Sequence, residues 1–147
     1  MARTFYETEC DLVNERRIAQ AIIDATGWKL HKLPIKYRAD YIATNQSDIA
    51  HSVLEFKKRG ICKNQYEYVF LSLDKYETCM RLYNRYDLDF YFFVEFMDGL
   101  YYSKNPICEK IKVAGRTDRN DPDDIEPIAL LPSVDFNPIH DLLSSQI

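Results

Sequence analysis

Apolar residues recur at helical spacing over residues 8–26, where Leu12, Ala19, Ile22 and Ile23 fall on one stripe. Thr8 suits the cap of this helix, Glu9 and Asp11 suit its first turn, and Gly27 follows as a stop. Glu15 lies on the same stripe, between Leu12 and Ala19. A carboxylate on a core-facing stripe needs a partner, either a rim pairing with Arg16 or Arg38 or a place in a site. Trp28–Pro34 reads as a connection or short extended piece. Period-two alternation then takes over. Tyr37–Thr44 is a strand with Tyr37, Ala39, Tyr41 and Ala43 on one side, and the polar run 45–48 is a turn. Ser52–Lys58 is a second strand, with Val53, Glu55 and Lys57 on one face and Leu54, Phe56 and Lys58 on the other.

Glu67–Leu71 is an apolar run with strand character. Ser72–Arg85 has helical spacing through Leu73, Tyr76, Met80 and Tyr83, with Asp74 and Glu77 at capping-box spacing. Phe90–Phe96 is a strongly apolar strand. Asp98-Gly99 turns it into Leu100–Ser103, and Lys110–Ala114 is a further short strand. From Gly115 onward, Asp118, Asp121, Asp123 and Asp124 crowd a loop, and Pro122, Pro127, Pro132 and Pro138 punctuate the rest. Strands interleaved with helices predict an α/β fold with a mixed central sheet flanked by helices. The expectation is one domain over residues 1–147, with an irregular acidic, proline-rich segment from about residue 115.

Composition narrows this reading. With 147 residues, 46% of them apolar, the chain is long enough for one well-filled core. No window approaches the ~18 consecutive apolar residues of a membrane span. The first residues have no apolar signal core, and Cys10, Cys62, Cys79 and Cys108 form no CxxC pair or zinc spacing. A cytoplasmic protein with reduced thiols and no membrane partner is expected. The net charge of −4 argues mildly against a nucleic-acid partner. Yet residues 29–63 carry eight basic residues against three acids, a local balance of about +5 that leaves about −9 for the rest. An anionic partner at that region is therefore open.

The chemistry concentrates in Asp40 and Glu55-Phe56-Lys57. Residues i and i+2 of a strand share a face about 6.5–7 Å apart, so Glu55 and Lys57 project together. If the strands of Tyr37–Thr44 and Ser52–Lys58 pair, Asp40 reaches the same region. Two carboxylates converging on a lysine suit metal-assisted phosphodiester hydrolysis, and hard oxygen donors suit Mg²⁺ or Mn²⁺. The competing reading is a solvated strand face whose ion pair is worth ~0–1 kcal/mol. Apolar strands on both sides of the sequence argue that this strand is central, where a charged face needs a reason.

Arg38-Ala39-Asp40 followed after fifteen positions by Glu55-Phe56-Lys57 resembles the PD-(D/E)xK nuclease superfamily. The element order of residues 8–97 is similar too, as in small phage-type and resolvase-like members. Ala39 stands where such motifs often carry proline. The resemblance implies a restriction-endonuclease-like fold and a Mg²⁺- or Mn²⁺-dependent nuclease acting on DNA, including branched or repair intermediates. It implies that Asp40, Glu55, the main-chain carbonyl of Phe56 and a helix-borne Glu15 hold metal, and that Lys57 is catalytic. Lys32, Lys36, Lys58, Arg59 and Lys75 are candidate DNA contacts, Lys75 because the equivalent helix in relatives faces the site. A homodimer built on the apolar hairpin Phe90–Tyr102 would supply two sites. A non-catalytic member of the same fold, binding or inhibiting a host protein or nucleic acid, is the alternative.

Overall fold

A computed structural model of the chain describes residues 9–34, 37, 39–115 and 125–144. In chain order the elements are α1 (Glu9–Thr26), β1 (Lys29–Lys32), β2 (Tyr41–Thr44), β3 (Ala50–Lys58), β4 (Tyr68–Ser72), α2 (Leu73–Tyr86), β5 (Asp89–Phe96), β6 (Gly99–Lys104), β7 (Lys110–Gly115), β8 (Ile125–Pro132), β9 (Asn137–Pro138) and α3 (Ile139–Ser144). The expected first helix is there, with Glu15, Ile18, Ala19 and Ile22 buried on its stripe. Gly27 ends it at φ 73°, and its N–H donates to the Ile23 carbonyl at 2.8 Å. Glycine takes this left-handed conformation without the Cβ clash other residues meet. The expected cap at Thr8 lies outside the described residues.

A six-stranded sheet runs in the order β1-β2-β3-β5-β6-β9. β3 and β5 are parallel; the other neighbours are antiparallel. The crossover between β3 and β5 carries β4 and α2. A second sheet, β4-β8-β7, is antiparallel. The alternation along β3 divides the core. Leu54 and Phe56 pack with Tyr91 and Phe93 beneath Ile18, Ala19 and Ile22 of α1. Val53 faces the other way, in a cluster with Phe90, Phe92, Val94, Val69, Leu71 and Cys79. Phe92 is fully buried there, with its ring edge-on to Phe136. Phe92→Ala is expected to lower the unfolding free energy by about 3–5 kcal/mol, because a cavity adds to the lost transfer energy. Urea unfolding measures it, and a loss under ~1 kcal/mol would contradict a central place for β5.

Several expectations change. The strand expected over Tyr37–Thr44 is confined to Tyr41–Thr44. Tyr37 uses its N–H on the Pro34 carbonyl at 2.9 Å and offers none to a neighbouring strand. The connection Trp28–Pro34 contains β1. The Asp74–Glu77 capping box does not form: Ser72 is the cap residue, and its hydroxyl contacts Glu126 at 3.2 Å. The irregular segment expected from residue 115 contains the eight-residue strand β8. Proline was expected to break it, but Pro127 lies beyond the reach of β4 and Pro132 beyond that of β7. Each therefore sits where the strand has a single neighbour and a missing N–H is tolerated. The acidic loop 118–124 lies outside the described residues. The hairpin Phe90–Tyr102 is not an open apolar face: β5 is buried between β3 and β6, and Tyr102 is buried as well. Among the described residues no helix is long and apolar enough to cross a membrane.

Candidate active site

The β2–β3 pairing sets Tyr41 opposite Leu54 and so carries Asp40, one residue earlier, to Glu55. The Asp40 N–H donates to the Leu54 carbonyl at 3.0 Å, and Asp40 Oδ2 accepts from the Phe56 N–H at 2.8 Å. Asp40 is thus clamped at both main chain and side chain. Glu55 is 1% exposed. Its Oε1 accepts from Lys75 Nζ at 2.8 Å, and its Oε2 is buried with no hydrogen-bond partner among the described residues. Lys57 is half-buried on the same face, and Arg59, two residues on, follows it. The Arg59 guanidinium lies 4.4 Å from the centre of the Phe70 ring and donates to the Phe70 carbonyl at 3.0 Å.

Burial dominates the electrostatics of this group. It pushes the Glu55 carboxyl up to about 7, helped by the like charge of Asp40 and opposed by Lys75 and Lys57. Burial pulls the Lys57 ammonium down, helped by repulsion from Lys75 and opposed by Glu55. It also lowers Arg59, against the pull of Glu55. Cys79, one turn beyond Lys75 on α2, is fully buried, and burial first, then the charge of Glu55, pushes its thiol well up. Cys79 is therefore a neutral wall of the site.

The structure brings together Asp40, Glu55 and Lys57, and adds Lys75 and Arg59 to them. Glu15 does not join. It is buried on α1, which packs on the Leu54 and Phe56 face of β3, and Lys32 Nζ donates to its Oε1 at 2.8 Å. The partner expected at Arg16 or Arg38 is thus supplied at least in part by Lys32 of β1. No cluster of three or more His, Cys, Asp or Glu able to hold a metal occurs among the described residues. Lys32 and Lys58 also belong to the α1 side: Lys32 lies over the Tyr41 ring, and Lys58 acts on Glu95, which Arg17 of α1 pairs. Lys36 lies outside the described residues. Sequence reading placed Lys75 as a DNA contact and missed its bond to Glu55. The one signal was a cation in the first turn of a helix, where it opposes the dipole.

A metal ion would need hard oxygen donors that are not already satisfied. The orphaned Oε2 of Glu55 is one, and Asp40, whose Oδ2 is engaged by Phe56, faces it with a second carboxylate. The donor set fits Mg²⁺ or Mn²⁺, which take one or two carboxylates and keep several waters.

A family model described as phage putative PDDEXK endonuclease matches residues 1–139. The structure of Hjc, a Holliday junction resolvase from the archaeal hyperthermophile Archaeoglobus fulgidus, superposes with a TM-score of 0.56 at 14% sequence identity, covering 86% of this chain and 97% of that one. No curated protein matches. The superposition bears out the expected restriction-endonuclease-like α/β fold.

Proposed function

Because the chain belongs to the family of phage putative PDDEXK endonucleases, we propose that it is a divalent-metal-dependent endonuclease that hydrolyses phosphodiester bonds in DNA, with branched DNA as its preferred substrate. One observation carries this reading: a buried carboxylate, Glu55, keeps one oxygen unpaired opposite Asp40 and beside Lys57. A stable protein avoids such an atom unless the site uses it.

Asp40 and Glu55 would hold the ion, with the Phe56 carbonyl, between Glu55 and Lys57, as a further oxygen donor. When bound, the ion supplies Lewis-acid charge that offsets the negative charge gathering on the phosphate. The Phe56 N–H fixes the Asp40 carboxylate, so its orientation is set before substrate arrives. The Lys57 ammonium donates hydrogen bonds to a phosphate oxygen, where negative charge gathers during attack. Its lowered affinity for the proton makes it a stronger hydrogen-bond donor in that role. Arg59 and Lys75 add positive charge on the same face, which suits a polyanion despite the chain's net charge of −4. The branched-substrate preference rests on the fold shared with the archaeal resolvase. Two cuts across a junction need two sites, so a homodimer belongs to the reading.

The test is a cleavage panel in Mg²⁺ or Mn²⁺ over single-stranded, duplex, closed circular and four-way-junction DNA, and RNA. Junction cleavage at the highest rate, with Lys57→Ala inactive, is expected. Intact substrates throughout, or equal cutting by the variant, would reject the activity.

A further inference from the structure

Lys75 stands in an awkward place for a surface lysine. It lies in the first turn of α2, where the helix dipole disfavours a cation. Its side chain is 27% exposed, and its Nζ is 2.8 Å from Glu55 Oε1. Two ammonium groups and an arginine crowd one ionisable carboxylate with a second carboxylate behind it. A divalent ion bound to Glu55 Oε2 would stand across a single carboxylate group from the ammonium held by Oε1. Like charges at that distance in a water-poor site repel strongly. The carboxylate can be shared by the two cations only at a cost.

We propose that Lys75 is the site's resident cation, which neutralises Glu55 when no divalent ion is bound, yields the carboxylate to the arriving ion, and then turns its ammonium to the phosphodiester of the substrate. This rests on the reading of Asp40 and Glu55 as metal ligands. It differs from a plain DNA contact, because Lys75 competes with the ion before any DNA is present. The ammonium covers Glu55 first, and the phosphate replaces Glu55 as the lysine's partner later.

Calorimetric titration of the full chain with Mg²⁺ at pH 9, well above the Glu55 value of about 7 so that proton competition is small, tests the exchange without DNA. Lys75→Gln keeps a hydrogen-bond donor for Glu55 but removes the charge. It should bind Mg²⁺ about tenfold more tightly than the wild type, roughly the margin that the donor's charge adds to its hydrogen bond. Mg²⁺ should also raise its melting temperature by more than it raises that of the wild type. Mg²⁺ binding of equal or weaker affinity in the variant overturns the exchange and leaves the metal site standing. No binding by either protein overturns the metal site itself, and the exchange with it. If the variant does not fold, a crystal structure of the wild type with Mn²⁺ decides. Lys75 Nζ out of hydrogen-bond range of Glu55, with Mn²⁺ on that carboxylate, supports the exchange. Nζ still bonded to Oε1 beside the ion refutes it.

Discussion

Glu55→Gln is expected to lower the cleavage rate by about 10³-fold or more, while the variant at pH 8 is at least as stable as the wild type. The two halves of this result have one cause. Glu55 is 1% exposed and keeps Oε2 unpaired, so its charge serves the site and not the fold. Removing a group that stabilises developing charge in such a site costs about 10²–10³ in rate, and losing a metal ligand adds to that. The stability half follows from proton linkage. The folded-state value of Glu55 is raised from 4.5 to about 7. Below about pH 4.5 both states carry the proton, and Glu55 makes no difference. Between 4.5 and 7 the folded chain holds a proton that the unfolded chain has lost, so stability falls as pH rises. Above 7 the full penalty is present. Glutamine has no proton to lose, and its amide oxygen can still accept from Lys75. Urea midpoints at pH 5 and pH 8 should therefore fall in the wild type and stay closer together in the variant. Cleavage within tenfold of the wild type would remove Glu55 from the reaction, and equal pH slopes would deny that its burial is costly.

The strand that carries this chemistry was open to reading because a strand has a period of two. Val53, Glu55 and Lys57 against Leu54 and Phe56 is a pattern that no helix makes, and the structure keeps each residue on its assigned face. The same period separates Lys58 from Arg59, so grouping those two as contacts to one DNA surface overlooked the alternation. Asp40 could be placed because a hairpin fixes register locally. Lys75 could not. Its bond to Glu55 spans twenty residues and depends on how α2 lies over β3 and β5. The burial of Glu15 was legible from its stripe, but its partner was not, since Lys32 reaches it from a four-residue strand with little pattern of its own. β8 was hidden by its prolines. Whether a proline breaks a strand depends on which neighbours flank it, a property of the assembled sheet.

Lys57→Ala should reduce the single-turnover cleavage rate by about 10²–10⁴-fold at saturating Mg²⁺ and DNA, within the range lost when a positioned proton-transfer or charge-stabilising group is removed. At a pH well above the Glu55 value of about 7, Mg²⁺ affinity should not weaken, because a cation leaves the neighbourhood of the metal ligands. DNA affinity should change little, since Arg59 and Lys75 remain on the same face. Loss confined to the chemical step is the signature that separates a catalytic lysine from one that merely attracts the polyanion. The variant also removes one of the two cations that hold the Glu55 proton affinity down. Carboxylate ligands must lose their proton to bind metal, so activity in the wild type should climb as pH rises through about 7. In whatever activity Lys57→Ala retains, that climb should move to higher pH. A rate restored by raising Mg²⁺ or DNA would assign Lys57 to binding. A pH profile unmoved by the substitution would mean that Lys57 and Glu55 do not feel each other across the strand they share.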